Sequence, residues 1–169
     1  MNIFDFAQTV EKSGQLFYRE MAKACRQQGL GNVFNMLAED QTRLLKKLAD
    51  LKFRYVDVEM GDCRSLKAKD NVFESLRKNR KDIVVTNDIE AYELALDAER
   101  RIYAQYERAI ALENDAATRN LLRRIAALDR GELRDIEQVY DFVNAPNEFL
   151  EWAEFSNLDE FHNFGRYVD

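Results

Sequence analysis

Five oxygen-bearing side chains occupy positions where the helical spacing of the sequence predicts apolar residues. They are Glu11, Gln41, Glu99, Asp129 and Glu132. Glu11, for example, lies four residues after Ala7 and seven before Tyr18, so it shares their face of a helix. Each of four helical segments therefore directs at least one carboxylate or amide toward the interior.

Burying several ionised carboxylates together is costly, because each loses its hydration and they repel one another. Three arrangements would offset this cost: a bound cation, protonation with a raised pKa, or pairing with Arg, Lys or Tyr. Arg43, Arg100 and Arg124 are the candidates for pairing. Four inward carboxylates on three helices favour a metal site, either working or vestigial.

Two helical hairpins must position these side chains. Apolar residues recur every three or four positions within residues 2–53 and again within 87–143. Gly29 and Gly31 are expected to end the first helix, and Asn32 to cap the second. Because the loop inside each hairpin is short, its helices must be antiparallel neighbours, joined by a long crossover at 54–86.

The predicted fold is an all-α four-helix bundle spanning residues 1–143, with an extension of the same domain at 144–169. A short helix is expected within the crossover, at 71–79. Asn87, with Glu90 three residues later, resembles a capping box at the start of the third helix. Pro146 is expected to end the fourth helix and to start a short C-terminal helix.

An offset of 88 residues brings the two hairpins into register. It aligns Glu11 with Glu99, Tyr18 with Tyr106 and several apolar positions, without a gap across the turn. The sequence therefore predicts a duplicated hairpin and a core with approximate two-fold symmetry. The two tyrosines are interpreted as core packing residues.

Composition excludes several classes of function. The 169 residues include one histidine, His162, and two cysteines that form no CxxC motif, so His-rich zinc sites and dithiol chemistry are excluded. The net charge of −6 is unfavourable for binding nucleic acid or anionic lipid. The sequence has no signal peptide pattern and no membrane-spanning run, which predicts a cytoplasmic protein.

Four short strings resemble the ferritin-like carboxylate family, and its rubrerythrin branch in particular. They are EKSGQLFYREMA at 11–22, FNMLAEDQ at 34–41, ALDAE at 95–99 and IAALDRGE at 125–132. In that family, one Glu from each of two helices joins a Glu-x-x-His from each of the other two to bind two irons. The resemblance implies that Glu11 and Glu99 are the single glutamates.

Both Glu-x-x-His motifs are altered in this sequence. The first corresponds to Gln41-Thr-Arg-Leu44 and the second to Asp129-Arg-Gly-Glu132, so both histidines are replaced. The remaining all-oxygen set suits hard ions such as iron or manganese, with one ion or none bound. The expected ligands are Glu99, Asp129 and Glu132, with Glu11 or Gln41 beside them.

Three functional hypotheses follow from this resemblance. The first is a metal-binding protein with an altered carboxylate site and a role in metal or oxidative-stress handling, in which usual peroxidase activity is not expected. The second is a metal-free helical interaction or assembly module. The third is an iron oxidase, an iron-dependent oxidoreductase whose ligands are rearranged from Glu93, Asp97 or Glu132.

Two further segments suggest partners. Residues 140–167 contain eight of the nineteen aromatic residues, which indicates a cap across the bundle or an oligomer surface; a homodimer would satisfy both. Residues 64–81 contain seven basic and two acidic residues. This pattern indicates either a solvated linker or a docking patch for an acidic partner, which could be a second subunit of this acidic protein.

Overall fold

The computed structural model describes residues 2–55 and 63–163, with side chains of the last helix described as far as Pro146. This part of the chain contains five α-helices. They are α1 (Ile3–Ala24), α2 (Gln28–Arg54), α3 (Val72–Lys78), α4 (Asp88–Leu112) and α5 (Ala116–Asn163). The predicted aromatic surface lies mostly outside the described side chains, as does His162.

The two predicted hairpins are present. Helix α1 packs along α2, α4 packs along α5, and α2 contacts both helices of the second hairpin. Side chains of Phe6 on α1 and Tyr106 on α4 meet edge to face, with ring centroids 6.0 Å apart. The all-α bundle predicted from apolar periodicity is thus confirmed, because each amphipathic helix buries its apolar face against two neighbours.

Helix α3 fixes the crossover against the first hairpin. It packs on α1 and α4, and Ser13 Oγ donates to Glu74 Oε1 at 2.8 Å while Asn71 Nδ2 donates to Ser13 Oγ at 3.1 Å. Asn71 Oδ1 also accepts from the amides of Phe73 and Glu74, which caps the helix. The short helix predicted at 71–79 is confirmed.

The predicted boundary between α1 and α2 is wrong by several residues. Helix α1 ends at Ala24, and α2 already begins at Gln28, so Gly29, Gly31 and Asn32 lie inside α2. A glycine ends a helix by adopting positive φ, and no glycine in the described residues does so. The absence of a side chain at Gly31 instead allows close approach to the end of α1, since a Cβ there would lie 3.4 Å from the carbonyl oxygen of Ala22.

The predicted start of α4 is correct. Asn87 Oδ1 accepts from the Glu90 amide at 2.9 Å, as an N-cap does. Glu90 Oε2 accepts from the amide and hydroxyl of Thr86 rather than from the backbone amide of Asn87. The reciprocal half of the capping box is therefore displaced by one residue.

The predicted break at Pro146 is wrong, because α5 continues through it to Asn163. A proline inside a helix removes one backbone hydrogen bond and crowds the preceding turn. The helix has long segments on both sides of Pro146, and these keep their own hydrogen bonds. Helix α5 consequently has 48 residues, against 25 in its hairpin partner α4.

Candidate metal centre

All five residues predicted for the site are brought into the interior of the bundle. Their exposed fractions are 1% for Glu11, 0% for Gln41, 2% for Glu99 and Asp129, and 8% for Glu132. Helices α1, α2 and α4 supply one residue each, and α5 supplies two. The centre formed by these five residues therefore contains four carboxyl groups and one amide.

Gln41 joins three helices at this centre. Its Nε2 donates to Glu99 Oε1 at 2.9 Å and to Glu132 Oε1 at 2.8 Å. The amide of α2 is thus held between carboxylates of α4 and α5, and it uses both of its N–H donors. An uncharged donor therefore stabilises two of the four carboxyl groups.

Six other oxygens of the centre have no hydrogen-bond partner. Both carboxylate oxygens of Glu11 and of Asp129 are buried and unpaired, as are Glu132 Oε2 and Gln41 Oε1. Buried polar atoms are nearly always paired in folded proteins. Six unpaired oxygens in one part of the core therefore indicate protons, water or a cation among them.

Pairing with arginine, one of the three arrangements considered from sequence, is absent from the described centre. Arg43 pairs with Asp40, and Arg100 pairs with Glu137 at 2.9 Å on the outer surface. The Arg124 guanidinium lies 5.7 Å from the ring centroid of Tyr55. These cations stay near solvent because a buried guanidinium would itself lose hydration.

Burial is the main reason why the carboxyl groups resist ionisation. It raises the pKa of Glu11, Glu99 and Asp129 well above the usual range, and the negative charge of Glu132 raises all three further. For Glu99, the hydrogen bond from Gln41 acts in the opposite direction. The centre therefore favours protons or a cation over four free negative charges.

Glu132 has the largest exposed fraction of the four carboxyl groups. Burial raises its pKa to about 7, while the positive charges of Lys47 and Arg43 and the hydrogen bond from Gln41 offset part of the effect. Glu132 also lines a cleft of about 200 Å³ between α2, α4 and α5, and the other four site residues do not. This cleft connects the centre with the surface.

Tyr18 and Tyr106 pack in the core, in agreement with their interpretation from sequence. Both are fully buried, and Tyr18 contacts the rings of Phe34 and Phe73. Their hydroxyl groups are buried without a hydrogen-bond partner. Burial and the neighbouring carboxylates raise the pKa of both tyrosines, so both hydroxyl groups stay neutral.

Glu93 and Asp97, proposed from sequence as alternative ligands, do not belong to the centre. Both are exposed on the outer face of α4. Asp97 accepts from Arg101 at 3.4 Å, and Glu93 accepts from the hydroxyl of Tyr140 at 3.1 Å. A rearranged iron site that used these two residues is therefore not supported by their positions.

Gly14 is a site residue that the sequence analysis missed. A Cβ at this position would lie 2.6 Å from Gln41 Oε1 and 2.7 Å from Phe73 Cε2. The absence of a side chain on α1 therefore makes room for the amide of Gln41. A glycine in the apolar stripe next to Glu11 was the available indication, since glycine inside a helix is unfavourable without a packing reason.

The residue pattern and the bundle agree with the comparison to protein families. The rubrerythrin family model matches residues 2–131, most of the chain, and the chain belongs to this family. The match includes Glu11, Gln41, Glu99 and Asp129 and ends one residue before Glu132. No curated protein and no solved structure gave a significant match.

The residues present do not fit the two-iron centre that the family implies. Leu44, where the first histidine is expected, is buried and apolar, and Gln41 directs N–H donors at two carboxylates. Among the described residues, no three acidic, histidine or cysteine side chains converge closely enough to hold one ion. A metal ion at this centre would require carboxylate side chains to rotate toward one another.

Proposed function

We propose that this protein binds a single hard divalent cation, iron or manganese, in an all-oxygen site inside the bundle. Glu99, Asp129 and Glu132 would supply carboxylate ligands, with Glu11 or the carbonyl oxygen of Gln41 beside them. Six buried oxygens without a partner are the observation that supports this proposal. A cation would pair with them and remove the repulsion among the carboxylates.

The chemistry of the donors favours a hard ion. Carboxylate and carbonyl oxygens suit Mn²⁺, Mg²⁺ and Ca²⁺, whereas zinc and copper prefer nitrogen and sulfur ligands. Membership of the rubrerythrin family adds iron as the expected metal. Bound iron would supply one-electron redox chemistry, and we place the function in metal or oxidative-stress handling.

The residues of the centre would take distinct parts in this function. The cleft at Glu132 is the route by which an ion reaches the interior. Protons held by the buried carboxyl groups would be released as the ion binds, since ligands must be deprotonated. Gln41 would keep Glu99 and Glu132 oriented from the α2 side.

The second candidate function is that of a metal-free helical module. It is favoured by the amide of Gln41, which occupies the space between two carboxylates, and by the lack of three converging ligands in the described chain. The carboxyl groups would then stay protonated. In this alternative the site is a remnant of the family's metal centre and the bundle serves in assembly.

Metal uptake separates these two functions. Protein purified without chelator is analysed for bound metals, and metal-free protein is titrated anaerobically with Fe(II) and with Mn(II). We expect about one equivalent of ion per chain and proton release on binding. Less than about a tenth of an equivalent in both measurements would overturn the cation proposal and support the metal-free module.

Matched asparagine variants locate the ion. Asp129→Asn should abolish uptake, because a buried carboxylate with two unpaired oxygens is lost. Asp97→Asn removes an exposed carboxylate from α4 and should leave uptake unchanged. If Asp97→Asn abolishes uptake instead, the ion lies outside the bundle. Circular dichroism of both variants verifies that the helices are intact.

None of the helices in the described residues is both long and apolar enough to cross a membrane. The cytoplasmic location and the absence of nucleic-acid partners expected from sequence stay predictions.

A further inference from the structure

An apolar groove with a basic rim lies at one end of the bundle. This groove, called here the end groove, has a volume of about 490 Å³ and lies between the α1–α2 loop and the segment that leads into α4. Leu30, Val84 and Val85 are among its apolar lining residues, and Arg26, Arg80 and Lys81, called here its rim, are the basic ones. No acidic side chain of the described residues lines it.

Two of the three rim cations are available to a partner. Arg26 and Lys81 are exposed, and neither has an ion pair within the described part of the chain. Arg80 pairs with Glu20 at 3.1 Å. Val84 is 80% exposed, so the groove presents both positive charge and apolar surface to solvent.

The last part of α5 extends beyond the bundle at this same end. Tyr140 lies beside Glu93, near the start of α4, and the antiparallel α5 passes that start within about two further turns. Residues 147–163 then continue as helix for about 25 Å. An isolated helix of this length is only marginally stable in water.

The sequence of this extension complements the end groove. Residues 147–163 contain five acidic residues and neither lysine nor arginine. They also contain Phe149, Trp152, Phe155 and Phe161. An acidic, aromatic-rich helix matches an apolar groove with a basic rim, since complementary charges select a partner and aromatic residues dominate interface energies.

The occupant of the groove must come from another molecule if the helix stays intact. Helix α5 continues without a break through Asn163, so residues 147–163 do not turn back as a separate helix. No α5 residue with a described side chain lines the end groove of the same chain. Groove and extension lie at the same end, so two copies related by a two-fold axis would each receive the helix of the other.

We propose that residues 147–163 of one copy dock in the end groove of a second copy, and that the exchange is reciprocal in a symmetric homodimer. This proposal goes beyond the cation proposal and does not depend on it, because no residue of the metal centre takes part. The proposal thereby specifies the two surfaces, residues 147–163 and the end groove, that would form the dimer predicted from the aromatic C-terminus.

Charge reversal on either side of the interface tests the proposal with the full-length chain. The groove variant is Arg26→Glu with Lys81→Glu, and the helix variant is Glu151→Lys with Glu154→Lys. Each variant places like charges on both sides of its own dimer interface. We expect the dimer dissociation constant to rise at least tenfold for each, as measured by analytical ultracentrifugation.

Mixing the two variants gives the decisive measurement. In the mixed dimer, the acidic helix of the groove variant meets the unchanged basic rim of the helix variant. Positions 151 and 154 of the helix variant, which are positively charged after substitution, meet positions 26 and 81 of the groove variant, which are negatively charged after substitution. The equimolar mixture should therefore recover the affinity of the parent chain. The control is Lys46→Glu with Arg123→Glu, which makes the same charge change at exposed positions away from the end groove and should leave the dimer unchanged.

The proposal is overturned if the parent chain is monomeric at about 100 μM, well above the range of typical specific dimers. It is also overturned if the mixture stays monomeric while both variants remain helical. Metal content of the parent and variant chains is measured in parallel. A monomeric parent chain that takes up metal contradicts this proposal alone. A dimeric parent chain that takes up no metal contradicts the cation proposal alone.

Discussion

Glu132→Gln should stabilise the metal-free protein at neutral and basic pH. The substitution keeps the shape of the side chain and an oxygen that accepts from Gln41, but it removes the buried charge. Burial raises the pKa of Glu132 from 4.5 to about 7 in the folded chain. The unfolded chain therefore releases this proton at lower pH than the folded chain does.

The magnitude follows from this difference in pKa. Each tenfold change in an ionisation constant corresponds to about 1.4 kcal/mol, so the charged form of Glu132 costs the fold about 3 kcal/mol. Below pH 4.5 both states are protonated and the cost is absent. It grows between pH 4.5 and 7, and it is fully present at pH 8. We expect Glu132→Gln to gain about 3 kcal/mol at pH 8 and almost nothing at pH 4.

The assay is urea unfolding of chelator-treated protein at several pH values between 4 and 8, with circular dichroism as the signal that monitors unfolding. Glu39→Gln serves as the matched control, since Glu39 is exposed on α2 and its substitution should not alter the pH dependence. The reasoning is refuted if Glu132→Gln is no more stable than the parent chain at pH 8, or if its gain is the same at pH 4 and pH 8.

Two further substitutions test how the centre is packed. Gly14→Ala should destabilise the fold by about 1–3 kcal/mol, because the added Cβ collides with Gln41 Oε1; thermal unfolding measures the change. Gln41→Leu should cost about 3–5 kcal/mol at pH 7, because two buried carboxyl groups lose their N–H donors; urea unfolding measures it.

Each of these substitutions has a control. Gly29→Ala has no heavy atom within 4 Å of its Cβ and should be neutral or slightly stabilising, since alanine favours helix. Gln138→Leu removes an exposed amide from α5 and should change stability by less than about 0.5 kcal/mol. Equal effects at the buried and exposed members of either pair would contradict the described packing.

The hairpins and the inward carboxylates were predictable from sequence. Helical periodicity places every third or fourth residue on one face, so Glu11 and Glu99 had to share the face of their apolar neighbours. The cap at Asn87 was predictable for a similar reason, because its hydrogen bond spans three residues. Local spacing was sufficient for all of these features.

Several other features were not predictable from helical spacing alone. Arg43 was a candidate partner for the buried carboxylates, but in the fold it pairs with Asp40 near solvent. The space that Gly14 leaves for Gln41 arises from the approach of α1 to α2. Pro146 was expected to break a helix that continues through it, since surrounding residues keep enough hydrogen bonds.

The sequence by itself determined that four carboxyl groups and an amide enter a helical bundle, and that both histidines of the family's motif are replaced. The tertiary structure decided how they are arranged. It placed the Gln41 amide between Glu99 and Glu132 and left the oxygens of Asp129 without a partner. Periodicity fixes which face of a helix a side chain occupies, but only packing between helices fixes which atoms meet.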